Sequence, residues 1–179
     1  MKLLTPLIAC SLLTGCMLSL KSPIPSSGPN DLHLPLLGEW QVVELMGDPP
    51  DEPANALVAL DDEQNLTLNL SPKPFSSARV FHLVEVGGSL FAFAEDPDLG
   101  RWQVAKLTLD SAESNLTIEG LNSDRIRADI GSGSLAGELV DFDDFLTIGN
   151  IEADATQLAA YLTSNPDAFV EVAKLQKVN

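Results

Sequence analysis

Two cysteines, Cys10 and Cys16, and two histidines, His33 and His82, are the side chains of this 179-residue chain best suited to nucleophilic or metal chemistry. Nucleophilic catalysis needs a base within hydrogen-bond reach of a hydroxyl or thiol. Both cysteines fall in an apolar N-terminal stretch, and His33 falls in a segment rich in proline and serine. His82 shares a predicted strand face with Val80, Val84 and Val86, the setting of a packed or surface histidine. Gly87-Gly88-Ser89-Leu90-Phe91 only brushes the G-x-S-x-G pattern, and a P-loop and a dinucleotide fingerprint are absent from the sequence. Zinc needs three or four His, Cys or carboxylate ligands at sensible spacing, and one domain histidine does not supply them. The acidic runs Asp61-Asp62-Glu63, Asp96-Pro97-Asp98 and Asp141-Phe142-Asp143-Asp144 lack the frame of an EF-hand and are expected in a chain with 26 acids. A carboxylate pair for glycoside hydrolysis would have only Trp40, Trp102 and Tyr161 beside it to stack on sugar. The inventory therefore points to a protein that is not an enzyme and needs no metal or cofactor.

One short motif does carry chemistry. Lys2 precedes an apolar run from Leu3 to Leu20, which Pro6, Gly15 and several hydroxyls interrupt, so it falls short of the ~20 clean apolar residues of a spanning helix. Within it stands Leu13-Thr14-Gly15-Cys16, which resembles the lipobox of bacterial lipoproteins: Leu, a small residue, Gly or Ala, then Cys. The resemblance implies that residues 1–15 are a signal peptide and that Cys16 becomes a lipidated N-terminus. A diacylglyceryl thioether and an acylated amine would then hold the protein on the membrane, each buried CH₂ contributing about 0.8 kcal/mol. Met17 stands where an Asp is associated with retention in the inner membrane. By resemblance the chain is expected on the outer membrane, facing the periplasm. Cys10 would leave with the leader, so the mature domain would hold no thiol for a disulfide.

The formal charge of −16 argues against nucleic acid and anionic headgroups as partners of the domain surface, because phosphate contacts need clustered Lys and Arg. It suits a soluble surface in the cell envelope, or a basic envelope protein as partner.

The elements that would position any site are mostly strands. Residues 16–34 read as a lipidated cysteine and a flexible tether, since Ser22 to Asp31 mixes prolines, serines and glycine without apolar periodicity. Residues 35–179 read as a single mostly-β domain, large enough to bury roughly 68–70% of its unfolded surface. Gly38 to Leu45 is a predicted first strand, and Asn65 to Leu70 alternates strictly, with Leu66, Leu68 and Leu70 on one side. Arg79 to Val86 and Ser89 to Glu95 flank Gly87-Gly88, a pair suited to the positive φ angles of a tight hairpin. Trp102 to Leu109 and Asn115 to Glu119 pair next, then Phe145 to Ile148, and Val170 to Val178 closes the chain by pairing back into the sheet. Two short helices interrupt the strands. Ser123 is expected to cap Asp124 to Ile130, with Gly131 as the left-handed terminus. Asp154 and Gln157 form a capping-box start for a stripe of Leu158, Tyr161 and Leu162 that ends at Asn165-Pro166.

The fold class is therefore mainly β: an antiparallel meander curled into a sheet, sandwich or barrel, with two short accessory helices. Gly38-Glu39-Trp40 resembles the G-x-W of lipocalins, whose tryptophan closes the barrel floor. That resemblance implies an antiparallel sheet around an apolar interior. Phe81, Phe91, Phe93 and Trp102 are then candidates to line a pocket, although a solid core would use the same residues. Two readings of the domain follow: a non-catalytic binding or scaffold module, and a carrier of a small apolar ligand. A hydrolase is the third and least supported.

Overall fold

The computed structural model describes residues 18–26, 31–63, 65–71, 79–96, 100–110, 112–143 and 146–178. In chain order the strands are β1 (Leu18–Leu20), β2 (Gly38–Leu45), β3 (Ala54–Leu60), β4 (Leu66–Ser71), β5 (Arg79–Val86), β6 (Ser89–Asp96), β7 (Arg101–Leu109), β8 (Asn115–Leu121), β9 (Gly137–Asp143), β10 (Leu146–Ile151) and β11 (Phe169–Lys177). Helix α1 (Ser123–Ser132) follows β8, helix α2 (Ala155–Ser164) follows β10, and a 3₁₀ turn (Asp31–Leu36) leads into β2.

Alternating apolar residues give strands, and the alternation decides which face turns inward. Strands β2 to β8 run as consecutive antiparallel neighbours, and β11 then lies between β8 and β2. The eight strands therefore close on themselves as an antiparallel barrel, which removes the exposed edges of an open sheet. The closing strand is the C-terminal one: Leu175 pairs with Val42 on one side and Leu116 on the other. The β5–β6 hairpin turns at Gly87 and Gly88, with φ of 59° and 78°, values that a Cβ disfavours.

The remaining elements form a layer against one flank of the barrel. β1 runs parallel to β10 and antiparallel to β7, and β10 pairs with β9, so the three strands make a flap. Two cores result. One fills the barrel with Trp40, Val42, Val58, Leu66, Leu83, Leu107, Leu116 and Leu175. The other lies between the outer face of β5, β6 and β7 and the flap and helices, built from Leu20, Phe91, Phe93, Ile126, Ile151, Leu158 and Leu162 among others. Along β5 the parity is explicit: Leu83 points into the barrel, and Val84 points out into the second core.

Several local expectations need correction. Residues 18–26 are not a free tether: Leu18, Leu20 and Ile24 are buried, because the apolar alternation hidden among polar residues finds partners on β10, β7 and β5. Residues 31–34 likewise belong to the 3₁₀ turn. Helix α1 is capped by Asn122 rather than Ser123; its side-chain oxygen accepts from the Asp124 and Arg125 amides at 3.1 and 3.2 Å. The helix runs on past Gly131, and Gly133 is the left-handed residue at φ 78°. Asp141 and Asp143 belong to β9 rather than to a loop, and β10 begins at Leu146, leaving Phe145 outside the described residues. Helix α2 is as expected, with Asp154 and Gln157 exchanging both capping-box hydrogen bonds.

Candidate functional site

Among the described residues, the barrel interior offers a concave space with room for a ligand. Its floor is built by the 3₁₀ turn and the start of β2. Trp40 is fully buried, its indole Nε1–H donates to the Leu36 carbonyl at 2.8 Å, and Leu36 itself is buried. Lys177, at the end of β11, lies with Nζ 5.2 Å from the Trp40 ring centroid and donates to the Pro35 carbonyl at 2.9 Å. The two ends of the barrel sequence are thus fastened over one indole.

Above the floor the filling is incomplete. A cavity of about 70 Å³ remains, reached by Leu36, Val58, Phe81 and Leu175 from one side and by Ala92, Ala94, Ala105 and Leu107 from the other. Its origin is in the side chains: Ala92 and Ala105 are register partners on β6 and β7, Ala94 follows, and none of them fills its share of the interior. The polar side chains that reach this cavity are Arg79, at the start of β5, and Gln103. A water needs only ~10–15 Å³ but two to four polar partners; the space is large enough, yet Arg79 and Gln103 present almost no polar surface to it and the lining is carbon, so it suits hydrocarbon.

Of the four aromatics expected near such a pocket, Phe81 alone lines it. Phe91 and Phe93 point out of the barrel, where Phe91 tilts against Phe169 at 5.6 Å between centroids. Trp102 packs on the same outer side, edge-on to His82 at 5.3 Å. The reason is parity: Phe91 and Phe93 alternate with Ala92, so a strand that offers its alanines to the barrel must send its phenylalanines outward. Sequence reading missed the cavity because its marker is an absence of bulk at Ala92, Ala94 and Ala105.

The outer layer holds the polar networks. His82 stacks on Phe93 at 5.5 Å, and its Nε2 lies 3.2 Å from the Ile24 carbonyl, tying the N-terminal strap to β5; with a carbonyl opposite, that nitrogen is the donor. Arg101 Nε donates to Ser19 Oγ at 2.6 Å and Nη2 to Glu152 Oε1 at 3.1 Å, while Ser19 Oγ donates to Asn150 Oδ1 at 2.7 Å. Lys21 adds a second cation 3.2 Å from Glu152. Burial raises the Glu152 carboxyl, but the Arg101 and Lys21 hydrogen bonds outweigh it and hold it below the usual range. On the helices, Tyr161 donates its hydroxyl to Asp129, and Arg125 binds Asp129 at 2.8 Å, Asp167 at 2.7 Å and Asn165 at 3.1 Å. The Tyr161 bond, aided by Arg125, depresses the Asp129 carboxyl; burial and then the Asp129 hydrogen bond raise the phenol. These groups clamp α1 to α2.

Among the described residues, no three His, Cys, Asp or Glu side chains converge as a metal site. Asp61 and the residues after it form a turn, with the Asp61 carboxylate accepting from the Glu63 and Asn65 amides at 2.9 and 2.8 Å. Among the described residues, no helix is long and apolar enough to cross a membrane. Cys16 and the whole Leu13-Thr14-Gly15-Cys16 motif lie outside the described residues. The chain matches no protein-family model, no curated protein and no solved structure.

Proposed function

We propose that the chain is a lipid-anchored binding protein of the bacterial cell envelope, held on the outer membrane through Cys16, whose barrel carries a small apolar ligand without catalysing a reaction on it. The observation that carries the ligand reading is the unfilled, carbon-lined space above the Trp40 floor. At about 70 Å³ it is roughly half of a ~150 Å³ apolar cavity that accepts benzene. It therefore suits the narrow end of an alkyl chain better than a fused ring. The anchor rests on the lipobox resemblance and on the acyl chains that such a cysteine carries.

Native mass spectrometry of the mature protein, extracted from membranes, tests the ligand. A retained apolar species is the expected result; a bare protein that also takes up no fatty acid when offered one sinks the carrier reading. The anchor is tested by fractionation: Cys16→Ala should leave the membrane fraction, and a variant that stays there through a high-salt wash without lipid counts against it.

A second reading, a scaffold for a basic partner, is favoured by β9. It ends the sheet, has β10 as its one strand neighbour among the described residues, and carries Glu138, Asp141 and Asp143. Acidic residues on an open edge oppose pairing with a second copy and suit a basic extended segment. A pull-down that is lost on replacing Glu138, Asp141 and Asp143 by Ser would support it, and one that persists would not.

A further inference from the structure

The barrel wall changes neighbours along β7. β8 pairs with β7 from Leu116↔Leu109 to Gly120↔Ala105, and the chain then leaves at Leu121 for α1. The first residues of β7 therefore lose β8, and β1 takes the vacated edge, with Leu20 opposite Trp102. Where one neighbour replaces the other there is a second, smaller cavity of about 10 Å³, lined by Leu18, Leu20, Trp102, Gln103, Val104 and Leu121. Gln103 also lines the large cavity inside the barrel. The same residue thus stands in both spaces, and β1 is what covers the seam beside it.

β1 is a small seal. It has three residues, and its attachment to β7 is the pairing at Leu20 and Trp102, reinforced by the hydrogen bond from Arg101 Nε to Ser19 Oγ. Arg101 reaches on to Glu152, so this one guanidinium joins β7, β1 and the end of β10. Cys16 precedes Leu18 by two residues. At no more than ~3.6 Å per residue, its Cα stays within ~7 Å of that of Leu18, whatever path the chain takes. A lipid on Cys16 therefore brings the bilayer to the flank that β1 covers. A tether of eighteen or so residues would have left this orientation free; the burial of Leu18 and Leu20 removes that slack.

We propose that the seam between β7 and β8, covered by β1, is the bilayer-facing portal of the barrel, through which an alkyl-chain ligand passes sideways between the membrane and the cavity. This rests on the lipidated-carrier reading above. Gln103 is the residue that such a chain passes, and Arg101 is the positioning residue that holds β1 closed.

The test uses the mature, lipidated protein in phosphatidylcholine vesicles and parinaric acid, a fluorescent straight-chain carboxylic acid that partitions into the bilayer. Energy transfer from tryptophan to parinarate reports its arrival in the barrel. Arg101→Ala should speed arrival about tenfold, the scale of one lost charge-assisted hydrogen bond, with little change in the final amplitude. A second variant keeps the test independent of that substitution's effect on folding. Leu20→Cys with Trp102→Cys places a disulfide across a directly opposed pair, a geometry that such bonds fit. The same molecules should take up the probe at least tenfold more slowly oxidised than reduced, by the factor set by how rarely a covalently closed seam opens. Uptake whose rate responds to neither change overturns the portal and leaves the carrier reading standing. Absence of energy transfer in every form overturns the carrier reading itself, and an intact mass without acyl groups on Cys16 overturns the anchor.

Discussion

Residue by residue, the polar chemistry of this protein is directed at holding elements together. Tyr161, Asp129 and Arg125 meet where α1 crosses to α2, and the tyrosine hydroxyl is bonded to an ionised carboxylate. Hydrogen bonds to charged groups are worth about 1.5–3 kcal/mol, so Tyr161→Phe should lower the unfolding free energy by about that much in a urea titration, with the m-value unchanged. Asp110 makes a pH prediction. The Asn115 side chain, followed by the Ser114 amide, holds its carboxyl down from 3.8 to about 2. A carboxyl whose pKa is lower in the folded than in the unfolded state stabilises the fold above the unfolded value and loses that contribution as pH falls through the folded one. Asp110→Asn should therefore flatten the acid limb of the stability curve between about pH 4 and pH 2. A variant whose acid limb overlays the wild type would show that this turn contributes nothing there.

At the scale of elements, alternation and turn signals between strands adjacent in the chain were legible, the caps of α1 were displaced by one or two residues, and the distant pairings of β1 were not legible. β4 and the β5–β6 hairpin announce themselves through strict alternation and Gly87-Gly88, and each strand pairs with the next strand in the chain. Gly38 to Leu45 was legible as a first strand, with Trp40 buried on it. β1 was not, because Leu18 and Leu20 look like the end of an apolar leader until Gly149 and Trp102, more than eighty residues off, supply the partners. β9 was not, because this strand at the sheet edge is exposed on both faces: Glu138 and Leu139 point to opposite sides and both are exposed, so no polar–apolar alternation marks it. Side-chain bulk was the wrong guide to the cavity, since alanines make it. The close packing of the flap gives an element-scale prediction. A Cβ added at Gly149 would meet Leu18 Cδ2 at 2.7 Å, and at Gly137 it would meet the Asn150 carbonyl at 2.7 Å. Gly149→Ala should loosen β1, raising amide exchange across Leu18–Leu20 while leaving β2 to β5 protected.

For the whole molecule, the barrel encloses a space that a solid core would fill. A cavity of about 70 Å³, at ~24 cal/mol per Å³, costs close to 2 kcal/mol. Ala105→Ile, which fills it with a strand-compatible side chain, should therefore hold or raise stability, by up to about that amount, while excluding the ligand. A structural barrel would gain from the change and lose nothing; a carrier loses its occupant. The second core, outside the barrel, is spared by this substitution, since Ala105 lines the interior cavity and is not among that core's residues. Loss of binding can then be separated from loss of fold. The most direct measurement is an equilibrium titration of parinaric acid into wild-type protein and Ala105→Ile, followed by tryptophan-to-parinarate energy transfer. A cavity that carries an alkyl ligand gives saturable binding of one probe per wild-type chain and none in the folded Ala105→Ile variant. Equal signals from the two proteins, or none from the wild type, would contradict it.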